Sequence, residues 1–163
     1  MRTETFFEPG LVEIVTPTFS RDDLFSGMKI ARLDIMPQCR RSLIPAVSSV
    51  VMAGSFWVGS IDLDRAMSDG DVMHLTGIER GPFHPDKWAM MMYSRLLRQP
   101  RGEKGTFVAD PGRDNLSYVA LGETTFAVYA AWERKLWSWK LGANPIDGKE
   151  RPMKGRRLFY VLN

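Results

Sequence analysis

Cysteine and histidine are scarce in this chain: Cys39 stands alone, and His74 and His84 are the two histidines among 163 residues. One thiol excludes an intramolecular disulfide and any zinc site built from several cysteines. Cys39 sits in "MPQCRRS" beside Arg40 and Arg41. Two arginines would lower a thiol's pKa, but a free cysteine is most often a small buried hydrophobe, and that role is expected here.

Long apolar runs are also missing. "LIPAVSSVVMAG" is too short and too broken by serine to span a bilayer, and "MRTETFFEPG" lacks the apolar centre of a signal peptide. No membrane association and a reducing, cytoplasmic setting are therefore expected. Diagnostic enzyme motifs are absent as well. There is no G-x-S-x-G elbow and no G-x-G-x-x-G fingerprint, and "RGEKGT" lacks the leading glycine and spacing of a phosphate loop. The chain reads as a binding protein more readily than as an enzyme, and no cofactor is called for unless a divalent metal ion is bound.

What is present is an ordinary globular composition, 44% hydrophobic and 25% charged. That length and balance suit one domain over residues 1–163 with a core that needs no staples. The charge is uneven. Residues 1–85 carry 8 Lys and Arg against 11 Asp and Glu, net −3, whereas residues 86–163 carry 14 against 8, net +6. The densest basic stretch, "KERPMKGRR", contributes Lys149, Arg151, Lys154, Arg156 and Arg157. Such a patch attracts phosphates or an acidic protein surface; the competing reading is a solvated loop.

Local patterns predict mixed structure. "ETFFEPGLVEIVTP" reads as two extended runs around Pro9-Gly10, and "MKIARLDIMP" alternates Arg32 and Asp34 against Ala31, Leu33 and Ile35. "SRDDLFSG" has a Ser20 cap, an acidic first turn and Gly27 as a stop, the marks of a short helix. "HPDKWAMMMYSRLLRQP" predicts the best-defined helix, about 85–99, with Pro85 in the first turn and Pro100 beyond the end. Its methionine run is expected to fill core. "SLIPAVSSVVMAG" fits a helix from Pro45 to Gly54, with a strand left open by its valines. "LSYVALG" and "RRLFYVLN" read as strands, "QPRGEKG" and "ADPGRDN" as turns. The strands do not alternate regularly with helices, so the expected fold is α+β, a largely antiparallel sheet with one well-defined helix and one or two shorter ones packed on it.

"TTFAVYAAWERKLWSWKLG" admits two structures. As a helix, Val128, Trp132, Leu136 and Trp139 form one stripe; as a hairpin, Trp137, Trp139 and Leu141 share a face with Ser138 and Lys140 opposite. The hairpin is preferred because it accounts for Trp137, although its turn lacks the Gly or Asn of a tight loop. In either form the tryptophans are expected to be mostly core, since aromatic burial is worth several kcal/mol at about 25 cal/mol per Å². The basic residues between them, Lys135 and Lys140, join the candidate partner-binding set, because aromatics interleaved with cations also make base-stacking surfaces.

The candidate metal site is "IDLDRAMSDGDVMHL". Asp62, Asp64, Asp71 and His74 are of the right type to hold a divalent ion and activate water, but their spacing matches neither an EF-hand nor H-E-x-x-H. The alternative is caps and turns: Asp62 or Asp64 capping a helix "DRAMS", Asp69-Gly70 as a turn, and His84 as a boundary residue before Pro85. Three functions follow. The favoured one is a non-enzymatic protein whose basic C-terminal half engages nucleic acid or an acidic protein. The others are a metal-dependent hydrolase and an assembly subunit with a Trp- and Met-lined interface.

Overall fold

The computed structural model describes residues 10–26, 30–75 and 81–162. The run before Gly10 and the Gly27 stop lie outside these. The backbone is α+β, built on a seven-stranded sheet of order β1-β5-β11-β7-β8-β9-β3. These strands are β1 (Gly10–Thr16), β3 (Leu33–Ile35), β5 (Gly54–Asp62), β7 (Asn115–Leu121), β8 (Thr124–Glu133), β9 (Ser138–Pro145) and β11 (Arg157–Val161). All neighbours pair antiparallel except β11 with β7 and β3 with β9. Two short ribbons accompany it, β2 (Phe19–Ser20) with β4 (Val50–Val51) and β6 (Met67–Ser68) with β10 (Glu150–Arg151).

Side-chain alternation divides the interior in two. Val58, Val119, Val128, Trp139, Leu141 and Phe159 point to one face, where they meet Trp88, Met91, Met92 and Leu96 of helix α3 (Pro85–Arg98). Ile61, Leu116, Tyr118, Leu158 and Tyr160 point to the other and meet Val72 of α2 (Asp69–Leu75) with Met153. Because strand residues alternate sides, a central strand such as β11 contributes to both cores.

α3 forms as expected. His84 lies in extended backbone and its Nδ1 accepts a hydrogen bond from the Asp86 N–H at 3.2 Å, Pro85 starts the helix, and Met90, Met91 and Met92 are all buried. α1 (Arg21–Phe25) is capped by Ser20 Oγ, which accepts from the Asp23 N–H. Two local expectations are corrected. Residues Cys39–Leu43 and Ile44–Ala46 form a π turn and a 3₁₀ turn that end before β4, so no helix runs from Pro45 to Gly54; the β-branched run Val50-Val51 pairs with β2 instead. "DRAMS" is not a helix either, and Asp69-Gly70 opens α2 rather than closing a turn.

The segment after α3 supports one end of the sheet. Buried Gln99 accepts from the Phe107 N–H (3.0 Å) and donates to the carbonyls of Glu103 (2.7 Å) and Phe107 (2.9 Å). Asn115 accepts from the Val108 N–H (2.8 Å) and donates to the carbonyls of Val108 and Ala130. Two side-chain amides thus replace the ladder hydrogen bonds that residues 99–114 lack, and hold that irregular segment against β8 and β9. Among the described residues no helix is long and apolar enough to cross a membrane.

Candidate nucleic-acid interface

Residues 124–145 form the hairpin. β8 and β9 pair from Phe126↔Pro145 to Glu133↔Ser138, which leaves Arg134–Trp137 as a four-residue loop. Trp132 and Trp139 are cross-strand partners at its root. The expected shared face of Trp137, Trp139 and Leu141 is corrected: Trp137 belongs to the loop, while Ser138 is buried on the strand. The loop needs one left-handed residue to return the chain, and Trp137 takes that place with φ 48°, the one non-glycine residue of positive φ among those described. A bulky side chain in this conformation costs about 1–2 kcal/mol that glycine would not. Strained backbone occurs at functional sites as well as in turns, which makes this loop a candidate.

The three tryptophans lead from the core to solvent. Trp139 is fully buried, donates from Nε1 to the Gln99 carbonyl at 2.7 Å, and packs edge-on to Phe107. Trp132 is half-buried, its ring 5.6 Å from Trp139 and 5.8 Å from Trp137, with both pairs edge-to-face. Trp137 is 61% exposed and Leu136 beside it 51%. The expectation that these tryptophans are mostly core therefore holds fully for Trp139, in part for Trp132, which packs against the same core, and fails for Trp137. Gly102 seats Trp132: its φ is +69°, and a Cβ there would lie 2.3–2.6 Å from indole Cδ2, Cε2 and Cγ, so only glycine allows the loop onto that ring face.

Trp132 is the ridge between two grooves. One, of about 540 Å³, is lined by Ile30, Arg32, Arg101 and Trp137; the other, of about 480 Å³, by Pro111, Asp114, Glu133, Arg134 and Lys135 among others. Arg32, Arg101, Arg134 and Lys135 are exposed, and among the described residues none of them has an ion-pair partner. Their charge is available to a ligand. Lys140 lies further along β9, half-buried, with Asp34 as its register neighbour on β3.

The basic C-terminal segment is arranged differently. Arg157 forms a two-pronged pair with Asp62 (2.7 and 3.1 Å) and donates to the Thr106 carbonyl. Arg156 pairs with Asp114 at 3.3 Å, Arg151 with Asp147, and Arg113 bridges Asp62 and Asp110. The hydrogen bonds from Arg157, followed by its charge, hold the Asp62 carboxyl below its ordinary range. Burial pushes Asp114 above it, against the pull of Arg156. Of the five basic residues in "KERPMKGRR", only Lys149 and Lys154 are exposed without an ion pair among the described residues.

The candidate metal residues are dispersed. Asp62 is taken by Arg157 and Arg113, and Asp64 by Arg65, whose hydrogen bond holds its carboxyl low. The Asp71 N–H donates to Ser68 Oγ, and His74 is exposed near the end of α2. Among the described residues no three His, Cys, Asp or Glu side chains come together as a metal site. Nearby Asp69 is buried and accepts from the Tyr118 hydroxyl at 2.8 Å. Cys39 is fully buried, and burial pushes its thiol up to about 12. The exposed large apolar residues away from the hairpin are Leu11, Val15, Val50, Met52, Trp57, Leu75 and Leu97, and none belongs to the Met90–Met92 run.

Arg32 and Arg101 were not singled out in the sequence as partner-binding residues, because they come from segments separate from the hairpin. One signal did point to the site: a loop "RKLW" with no Gly or Asn where its geometry needs a left-handed residue. Comparison with protein-family models, curated proteins and solved structures finds no match, so the functional reading rests on this geometry.

Proposed function

We propose that the protein is a non-enzymatic binder of single-stranded nucleic acid, engaging it with the end of the β8–β9 hairpin. One observation carries the reading: Trp137, exposed and held in left-handed backbone beside Trp132, stands among four cations, Arg32, Arg101, Arg134 and Lys135, none of which forms an ion pair among the described residues. Exposed aromatics take unpaired bases by stacking, and the surrounding Arg and Lys side chains take the phosphates. An acidic protein would use the cations, and exposed indoles also serve protein interfaces; the interleaving of indole with Arg and Lys favours a strand that alternates bases with phosphates. Duplex grooves likewise hide the base faces that a stacking platform needs.

The test is quenching of tryptophan fluorescence by single-stranded homopolymers of DNA and RNA at about 50 mM salt, where the electrostatic attraction is strong. Binding that quenches the parent and is weakened by Trp137→Ala supports the reading. No binding to any homopolymer overturns it, and recovery of an acidic protein partner by the same surface would put protein in the place of nucleic acid.

A further inference from the structure

The groove between the Pro111–Asp114 loop and the end of β8 contains a feature that phosphate binding does not need. Two carboxylates, Asp114 and Glu133, stand among its cations, and carboxylates repel a phosphate backbone. Glu133 is half-buried with no ion-pair partner among the described residues. Asp114 Oδ1 is buried without a hydrogen bond, Arg156 Nε standing 3.3 Å away as a charge partner only. An ionised carboxylate can only accept. The groove therefore pairs a wall of indole with the Glu133 carboxylate as an acceptor short of donors, the orphaned Asp114 Oδ1 lying beneath its surface, in a volume of about 480 Å³ that suits a small ligand.

We propose that this groove is a guanine subsite, in which a base beside Trp132 turns its pairing edge to the Glu133 and Asp114 carboxylates while Arg134 and Lys135 hold the flanking phosphates. The proposal rests on the single-strand reading above and names the base it prefers. Guanine alone among the common bases presents two adjacent donors on that edge, N1–H and the N2 amino group, which match the two oxygens of one carboxylate. Cytosine and adenine set one amino group beside a ring-nitrogen acceptor, and uracil places its N3–H between two carbonyls. Each of those brings an acceptor against a carboxylate oxygen, which is repulsive.

The experiment compares three RNA hexamers in titrations of the full chain: all-uridine, uridine with one central guanosine, and the same with inosine, which lacks the N2 amino group. The guanosine hexamer is expected to bind about tenfold more tightly than all-uridine, within the range of one two-pronged base contact, with inosine between them. Glu133→Ala should reduce that ratio toward one. Asp114→Asn, checked for folding by its melting curve, should reduce it in part. Equal binding of all three hexamers to the parent overturns the guanine assignment while leaving the single-strand reading in place. A preference that survives both variants overturns the role of the carboxylates. Failure of the hexamers and of long homopolymers alike removes the single-strand reading itself.

Discussion

The two basic regions of the C-terminal half are made of the same residue types and used in opposite ways. In residues 149–157 the arginines are set against aspartates, so their charge closes the structure: Arg157 ties β11 to Asp62 at the end of β5, and Arg156 reaches Asp114 before β7. At the hairpin end Arg134, Lys135, Arg101 and Arg32 face two grooves beside exposed indole, and their charge is left for a partner. Basic density in a sequence thus says how much positive charge there is, and the folded position of the aspartates decides how much of it is free.

The largest effect separates the two ends of the aromatic ladder. Trp139→Ala should destabilise the fold by about 3–5 kcal/mol in urea denaturation, the cost of emptying a filled core site. Trp132→Ala should cost less because its ring is half-buried. Trp137→Ala should leave stability within about 1 kcal/mol of the parent and instead weaken single-strand binding by about 1–3 kcal/mol, the worth of one stacked base. Equal destabilisation by Trp139→Ala and Trp137→Ala would erase the distinction between core and platform.

The ion-paired region makes the opposite prediction. Asp62→Asn breaks the pairs with Arg157 and Arg113, and because the Asp62 side chain is half exposed its cost is expected at about 0.5–1 kcal/mol, with binding unchanged. Its carboxyl is held below its ordinary 3.8 in the folded protein, so its contribution is present above that value and is lost as pH falls through the lower folded value. Asp114 runs the other way. Its folded pKa is raised, so its contribution is present below 3.8 and is lost as pH rises through the folded value. Melting curves of Asp62→Asn and Asp114→Asn across pH 3–7 should therefore approach or diverge from the parent in opposite directions, each normalised to its own neutral-pH value.

The smallest effect concerns the loop backbone. Trp137→Gly should be more stable than Trp137→Ala by about 1 kcal/mol, because glycine meets the left-handed φ without strain. Both should bind equally poorly. A Gly variant no more stable than the Ala variant would remove backbone strain from the account of this site.

Much of the fold was legible in local pattern. Ser20 and Asp23 announced α1, Pro85 and Pro100 bracketed α3, alternation in "LSYVALG" marked β7, and the compact apolar run "RRLFYVLN" marked β11. The antiparallel bias followed from the lack of regular βα alternation. What pattern could not show was pairing over distance. Val50-Val51 became a strand because Phe19-Ser20 lay beside it, and Asp62 met Arg157 across 95 positions. The hairpin site was half legible: the interleaving of Trp132, Trp137, Lys135 and Arg134 was visible, but the solvent exposure of Trp137 came from its loop position, and Arg32 and Arg101 arrived from the residue just before β3 and the segment after α3.

The most direct measurement is the salt dependence of single-strand binding for two variants compared with the parent, Arg134→Ala with Lys135→Ala in one and Lys154→Ala, Arg156→Ala and Arg157→Ala in the other. The hairpin variant is predicted to lower the slope of log affinity against log salt by about 0.7 for each phosphate that is no longer neutralised. The C-terminal variant is predicted to melt at lower temperature, since the pairs to Asp62 and Asp114 are broken, and to keep the parent slope. A parent slope in the hairpin variant together with a flattened slope in the C-terminal variant would contradict the account and place the anionic partner on residues 149–157.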